Sequence, residues 1–135
     1  MEMIKNKVVD KTWGNETWIV NNELYCSKIL KLEQDKFCSV HYHIKKDETF
    51  CVLAGCIMLE ICEQPWIDVI DFIRRKKVKS LSEGETVRIR PGVLHRFTGV
   101  EKISLILETS TQHFDEDSYR CIPSCVDEKK EQEKR

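Results

Sequence analysis

The chain lacks the signatures of several protein classes. None of its seven cysteines forms a Cys-x-x-Cys pair, their number is odd, and most lie inside apolar segments (Cys38, Cys51, Cys56, Cys62). Neither a disulfide framework nor a zinc knuckle is expected, and the thiols read as those of a reducing, cytoplasmic compartment. Cys121 and Cys125 are close enough to pair or share a metal, but ordinary thiols are expected there too. An excess of charge is also missing: 22 Lys plus Arg oppose 23 Asp plus Glu, for a net charge of -1. Nucleic acid is therefore not an expected partner, because its phosphates call for a basic face. No hydrophobic run is long. Phe50 to Leu59 is the longest and ends at Glu60, too short to span a bilayer. Met1 to Lys11 is polar where a signal peptide needs an apolar core, so neither membrane insertion nor export is expected. A chain of 135 residues has room for one domain, without a second large one.

A sustained helical period is scarce too. Apolar residues come in short bursts separated by turn chemistry such as Asn21-Asn22, Ala54-Gly55, Ser82-Glu83-Gly84 and Pro91-Gly92. This predicts an all-β domain of roughly ten short strands closing into a sandwich or barrel. The expected strands are Thr17 to Val20, Leu24 to Leu32, Phe37 to His43, Thr49 to Leu53, Cys56 to Cys62, Val69 to Ile73, Lys77 to Leu81, Thr86 to Ile89, Leu94 to Phe97 and Ile103 to Thr109. Over Trp66 to Lys77 the pattern also fits a helix. Residues 127–135 are almost all charged and are expected to form a frayed tail or short solvated helix after a domain over 1–126.

The chemistry concentrates at four positions. His41 and His43 are separated by one residue on an expected strand, so period-two alternation projects both rings from one face. Glu48 opens the next strand, where an antiparallel neighbour brings its carboxylate beside them, and His95 follows the Pro91-Gly92 turn. Three imidazoles and a carboxylate suit one divalent first-row ion, Zn, Mn, Fe, Co or Ni, with open positions left for water or substrate. A His-x-His pair alone would as readily decorate a solvent face. The longer pattern carries more: His41-x-His43-x4-Glu48-x6-Gly55, then Gly84-x7-Gly92-x2-His95.

With this spacing the chain closely resembles the cupin superfamily, whose two motifs supply a three-His, one-Glu metal site in a double-stranded β-helix, or jelly-roll, barrel. The resemblance implies His41, His43, Glu48 and His95 as metal ligands. Asp35 stands where the first motif usually begins with Gly, Arg90 where the second usually has Pro, and Gly99 where it often has Asn. Trp13-Gly14, Tyr25, Lys28-Ile29-Leu30, Ser39-Val40-His41-Tyr42-His43, Lys46-Asp47-Glu48-Thr49 and Glu108-Thr109-Ser110-Thr111 followed by Asp115, Asp117 and Arg120 narrow it to sugar cupins that resemble mannose-6-phosphate isomerases and lyxose isomerases. That implies metal-dependent interconversion of an aldose and a ketose, on a sugar or sugar phosphate, by a homodimer.

Such a reaction needs a base that moves a proton between neighbouring carbons. Glu108 is the candidate, because an ionisable group in the apolar run Ile103 to Leu107 has little reason to be there unless it faces a cavity, where burial would raise its pKa. The alternative is a structural carboxylate paired with Arg96 or Arg120. Lys46, Arg96 and Arg120 are candidates for a substrate phosphate or carboxylate, Arg96 above all because it follows His95. Trp13 and Tyr25 are candidates to stack on a sugar ring, although such aromatics are more often core. His113 reads as a rim histidine rather than a fifth ligand. An iron-dependent dioxygenase and a non-enzymatic sugar-binding module remain competing readings.

Overall fold

The computed structural model describes residues 1–127, so the expected charged tail lies, apart from Asp127, outside the described residues. In chain order the elements are β1 (Lys7–Lys11), β2 (Gly14–Asn21), β3 (Cys26–Glu33), β4 (Val40–Tyr42), β5 (Glu48–Ala54), β6 (Cys56–Cys62), α1 (Val69–Arg75), β7 (Lys77–Ser82), β8 (Thr86–Ile89), β9 (Leu94–Gly99), β10 (Ile103–Ser110), a 3-10 turn over Asp115–Asp117, and β11 (Tyr119–Ile122). They form a six-stranded sheet ordered β1-β2-β3-β10-β5-β8 and a five-stranded sheet ordered β11-β4-β9-β6-β7. All pairings are antiparallel, and the architecture is the jelly roll that the resemblance implied.

Period-two alternation builds the interior. On β3, Cys26, Lys28, Leu30 and Leu32 point inward; on β10, Ser104, Ile106, Glu108 and Ser110 do; on β5, Glu48, Phe50 and Val52 do. One end of the barrel is therefore apolar, with Leu30, Leu32, Val52, Ile57, Leu59 and Ile106 in one cluster. The same alternation carries Lys28, Glu108 and Glu48 inward at the other end. In register, Lys28 lies opposite Glu108, and Glu108 opposite Phe50, across three adjacent strands. Burying the apolar rows is the main drive to fold, at about 25 cal/mol per Å² of apolar surface; the buried charges sit within that frame.

Three expectations about elements need correction. Val69 to Ile73 is helical: the Asp68 side chain accepts hydrogen bonds from the backbone N–H of Ile70 and Asp71, a cap that starts α1, and Phe72 anchors it against Val40, Cys62 and Leu94. The strand expected over Phe37 to His43 shrinks to β4. The polar strands β1 and β11 were not expected, since each is an edge strand that needs no apolar face.

Two departures from the cupin pattern have a backbone explanation. Asp35 adopts φ +62°, the left-handed region that favours glycine and that Asp tolerates better than most residues. Its N–H donates to the Gly99 carbonyl at 2.9 Å. A Cβ at Gly99 would lie 2.3 Å from the Glu33 carbonyl oxygen, so that position admits no side chain where β9 crosses the end of β3.

Candidate metal centre

His41 on β4 is the register partner of His95 on β9, and His43 follows β4 by one residue. Their ring centroids are 4.4 Å apart for His41 and His95, 5.1 Å for His41 and His43, and 6.0 Å for His43 and His95. Glu48, at the start of β5, closes the group from the other sheet. One donor atom from each of the four residues lies within 4.8 Å of the others.

The ring orientations are set by backbone carbonyls, which only accept hydrogen bonds. His41 Nδ1–H donates to Ser39 O at 2.8 Å, His43 Nδ1–H to Asp117 O at 2.9 Å, and His95 Nδ1–H to Val93 O at 2.9 Å. Each ring therefore turns its other nitrogen, Nε2, toward the centre, the atom a metal would take. Burial, and then the neighbouring His95, holds the His41 pKa well below the usual histidine range.

Glu48 Oε2 lies 3.0 Å from His95 Nε2 and 3.4 Å from His43 Nε2. Yet Glu48 Oε2 and His95 Nε2 are both buried without a hydrogen-bond partner among the described residues. Converging buried nitrogen and carboxylate oxygen donors cost free energy unless a proton or a cation stands between them, and a cation can serve all four residues at once. The residues thus fit a divalent ion with borderline nitrogen and oxygen preferences.

A second charged group lies beside the first. Lys46 is 3% exposed, and its Nζ is 2.8 Å from Glu108 Oε2, 3.3 Å from Glu48 Oε1 and 3.1 Å from His113 Nδ1. Burial pulls the Lys46 pKa down, but the carboxylates of Glu108 and Glu48 outweigh it and the net shift is upward. His113 Nε2–H donates to Asp115 Oδ1 at 2.9 Å, and its backbone N–H and C=O are both held by the Asn21 amide. Burial, followed by the ammoniums of Lys28 and Lys46, brings the His113 pKa down to about 4.

These groups line a cavity of about 180 Å³ together with Trp13, Glu16, Trp18, Lys28, Phe50, Phe97 and Arg120. Trp13 serves both the cavity wall and the core, and Arg120 stands exposed at the mouth.

Several expected site residues lie elsewhere or differ in detail. Tyr25 is 52% exposed and lies outside the cavity lining, because the inward phase of β3 falls on Cys26 and Lys28. Arg96 occupies the opposite phase of β9 from His95, faces outward, and its Nε donates to Glu60 Oε2 at 2.7 Å. The partner of Glu108 is Lys46, neither Arg96 nor Arg120. Lys46 lines the cavity but is tied to two carboxylates and His113, so its contact with a substrate phosphate is not what the geometry favours.

Other residues were missed. The buried Asp117 carboxylate accepts from the backbone N–H of Ile44, Lys45 and Lys46 at 3.0, 3.1 and 3.0 Å, while its carbonyl orients His43. Asp117 was among the residues that carry the sugar-cupin resemblance, but nothing in the sequence points to its reach across the fold to the 44–46 turn. Lys28 entered the sequence reading only within Lys28-Ile29-Leu30, a segment that carries the sugar-cupin resemblance, and no role was expected of it; the structure buries it in the cavity wall.

Comparison with known proteins follows the same line. The D-lyxose isomerase family profile matches residues 11–124. The chain belongs to that family. A curated D-lyxose ketol-isomerase from Thermofilum sp. (strain ex4484_79) is 30% identical over 120 residues, covering 78% of this chain and 67% of the relative. Among solved structures, the capsular polysaccharide assembling protein CapF from Staphylococcus aureus superposes with a TM-score of 0.73 at 15% identity, over 89% of this chain and 32% of that one. Oxalate decarboxylase from Bacillus subtilis gives 0.72 at 15%, over 85% and 30%. KdgF from Halomonas sp. gives 0.66 at 14%, over 82% and 89%. This D-lyxose isomerase family member spans about a third of the CapF and oxalate decarboxylase chains, and at such identities the likeness establishes the cupin fold alone.

Proposed function

We propose that the protein interconverts a small aldose and its 2-ketose, with His41, His43, Glu48 and His95 holding one divalent ion and Glu108 moving the proton. Family membership makes it a metal-dependent sugar isomerase in kind. The observation that carries the site assignment is the pair of unpartnered buried acceptors, Glu48 Oε2 and His95 Nε2, in a four-donor cluster beside a second buried carboxylate. When bound, a divalent cation supplies Lewis-acid charge for the two adjacent oxygens of an open-chain sugar. Zn, Mn, Fe, Co and Ni all suit the donor set, and Mn(II) centres occur in the oxalate decarboxylase of the same fold.

The chain's own residues account for the proton transfer. Glu108 takes the proton from C2; the C–H electron pair becomes the C1=C2 double bond and the carbonyl pair moves onto O1. The carboxyl then returns its proton to C1 while the O2 hydroxyl proton passes to O1, leaving the ketone at C2. Lys46 positions Glu108, and His113, held by Asn21, positions Lys46. Phe50, Phe97 and Trp13 limit water around the reacting carbons. The cavity is smaller than the about 300–1,000 Å³ of drug-sized ligand clefts, which favours a monosaccharide.

The reading extends to a homodimer in the cytoplasm. All seven thiols are free, and β1, β7, β8 and β11 leave sheet edges for a second copy. Among the described residues, no helix is long and apolar enough to cross a membrane. Light scattering behind size exclusion tests the dimer.

An anaerobic assay with a panel of aldoses and their phosphates, joined to element analysis of the purified protein, tests the function. Ketose formation without air and with bound metal supports it. Glu108→Gln is expected to reduce kcat by roughly 10²–10⁴ with metal content intact. Turnover requiring dioxygen, or saturable sugar binding without turnover, would replace the isomerase reading by the dioxygenase or the binding module.

A further inference from the structure

Strand β10 runs polar inside and apolar outside. Its inward side chains, Ser104, Ile106, Glu108 and Ser110, are all buried, whereas Ile103, Leu105 and Leu107 point away from the barrel, Ile103 exposed and the two leucines half-buried. An antiparallel sheet with one solvated face normally shows the reverse alternation, because only the core side gains from apolar side chains. The inward polarity belongs to the cavity, but the outward leucines need a separate reason. Register partners on antiparallel strands share a face, and one register row crosses all six strands of the sheet through Val8, Thr17, Ile29, Leu107, Cys51 and Thr86 without a single charge. Leu53 and Ile103, 41% and 40% exposed, extend it. Among the described residues no helix covers this face, since Phe72 anchors α1 on Val40, Cys62 and Leu94 of the other sheet.

We infer that this outer face, centred on Leu107, is where a second copy of the chain packs, sheet face on sheet face. The inference rests on the homodimer reading and moves its contact from the sheet edges to the face. Size is sufficient. Five strand spacings of about 4.8 Å and six residue rises of about 3.4 Å along β10 give a face of about 24 by 20 Å, roughly 500 Å² in projection per copy. Accessible area exceeds projected area on a surface studded with side chains, so two such faces together reach the about 1,200 Å² at which specific interfaces begin. Charge selects the occupant. Lys31 and Arg88 flank the row together with Asp10 and Glu33, and Arg88 is already paired with Asp47 at 2.6 Å, so the face offers no net attraction to an anionic membrane and no repulsion to its own copy. Residues 128–135 hold no apolar side chain to lay over it. A copy brings the same uncharged row, and aligned sheets pack in this way about 10 Å apart. The contact backs the strands that carry Glu48, Glu108 and Lys28 on their inner side, with Leu107 and Glu108 adjacent on β10.

The test compares wild type, Leu105→Lys and Leu53→Lys over a dilution series, each checked for equal metal content. Sedimentation equilibrium gives the dimer Kd, and maleimide labelling followed by peptide mass spectrometry gives the reaction rate of Cys51, inside the row, against the exposed Cys121 on the other sheet. Wild type is expected to be a dimer whose Cys51 is protected and becomes reactive on dilution, while Cys121 reacts at one rate throughout. Leu105→Lys buries one unpaired ammonium from each copy, and is expected to raise the dimer Kd by at least about 100-fold and to free Cys51 at every concentration. Leu53→Lys, at a position that already tolerates water in the single chain, is expected to move both readouts the same way and covers the case in which Leu105→Lys does not fold. A dimer that survives both substitutions, with Cys51 labelled at a rate independent of concentration, overturns the inference and returns the contact to the edges. A wild type that floats with phosphatidylcholine vesicles as a monomer assigns the face to lipid and also overturns it. A wild type that stays monomeric throughout overturns the inference and the homodimer reading together, while aldose turnover by that monomer leaves the isomerase reading standing.

Discussion

Lys46 Nζ stands 2.8 Å from Glu108 Oε2, and the same ammonium is 3.3 Å from Glu48 Oε1. One buried cation therefore joins the carboxylate of the metal cluster to the carboxylate proposed as the base. Without it, two acids would share an enclosed pocket.

That relationship predicts a large effect of Lys46→Met on the metal-free protein. Removing one partner of a buried ion pair is expected to cost about 3–5 kcal/mol. The double variant Lys46→Met with Glu108→Gln is expected to be less destabilised than Lys46→Met alone, because it removes one of the stranded charges. Thermal or urea unfolding of the four proteins checks this; simple additivity would show that the two side chains act separately.

Asp117 holds three backbone N–H groups of the 44–46 turn and orients His43 through its carbonyl. Asp117→Ala is expected to lower stability by about 2–4 kcal/mol, since buried donors are left without partners. It should also weaken divalent-ion affinity by roughly 10-fold, because the backbone carbonyl that holds His43 is kept but loses its anchor to the 44–46 turn. Isothermal titration with Mn(II) or Zn(II), alongside melting curves, reads both effects.

His113 has a folded-state pKa of about 4, below its value in an unfolded chain. The unfolded state therefore binds more protons below about pH 6.5, and His113 favours folding above that pH. Its contribution is lost progressively as pH falls from about 6.5 to about 4, amounting to a few kcal/mol at most. Stability of the metal-free protein should fall over this window, and His113→Gln should flatten the fall. An unaltered pH dependence in the variant would assign the acid limb to other groups.

Gly99→Ala places a methyl carbon 2.3 Å from the Glu33 carbonyl oxygen. Backbone has to move at the crossing of β9 and β3, and a loss of about 1–3 kcal/mol is expected. The change should register as a lower melting temperature with unaltered metal content, because His95 sits four residues away on the same strand.

The four candidate ligands and an all-β sandwich or barrel were legible because both rest on local regularities, while the jelly roll was implied by the cupin resemblance. Alternation alone puts His41 and His43 on one face, and turn residues punctuate strands whose inward rows are apolar. Glu108 was legible as a charge in an apolar row. No role was expected of Lys28, and only the cavity around it separates it from a snorkelling surface lysine. Val69 to Ile73 satisfies either period, and the Asp68 cap with Phe72 packed on Leu94 settles it as helix.

What the sequence by itself determined was which residues share a face, since that follows from a backbone period of two. What only tertiary structure decided was which faces meet. The separation of Arg96 from His95, the replacement of Arg96 and Arg120 by Lys46 as the partner of Glu108, and the reach of Asp117 to the 44–46 turn all depend on sheet order and register. Those are set by long-range packing of the two sheets, and no local pattern encodes them.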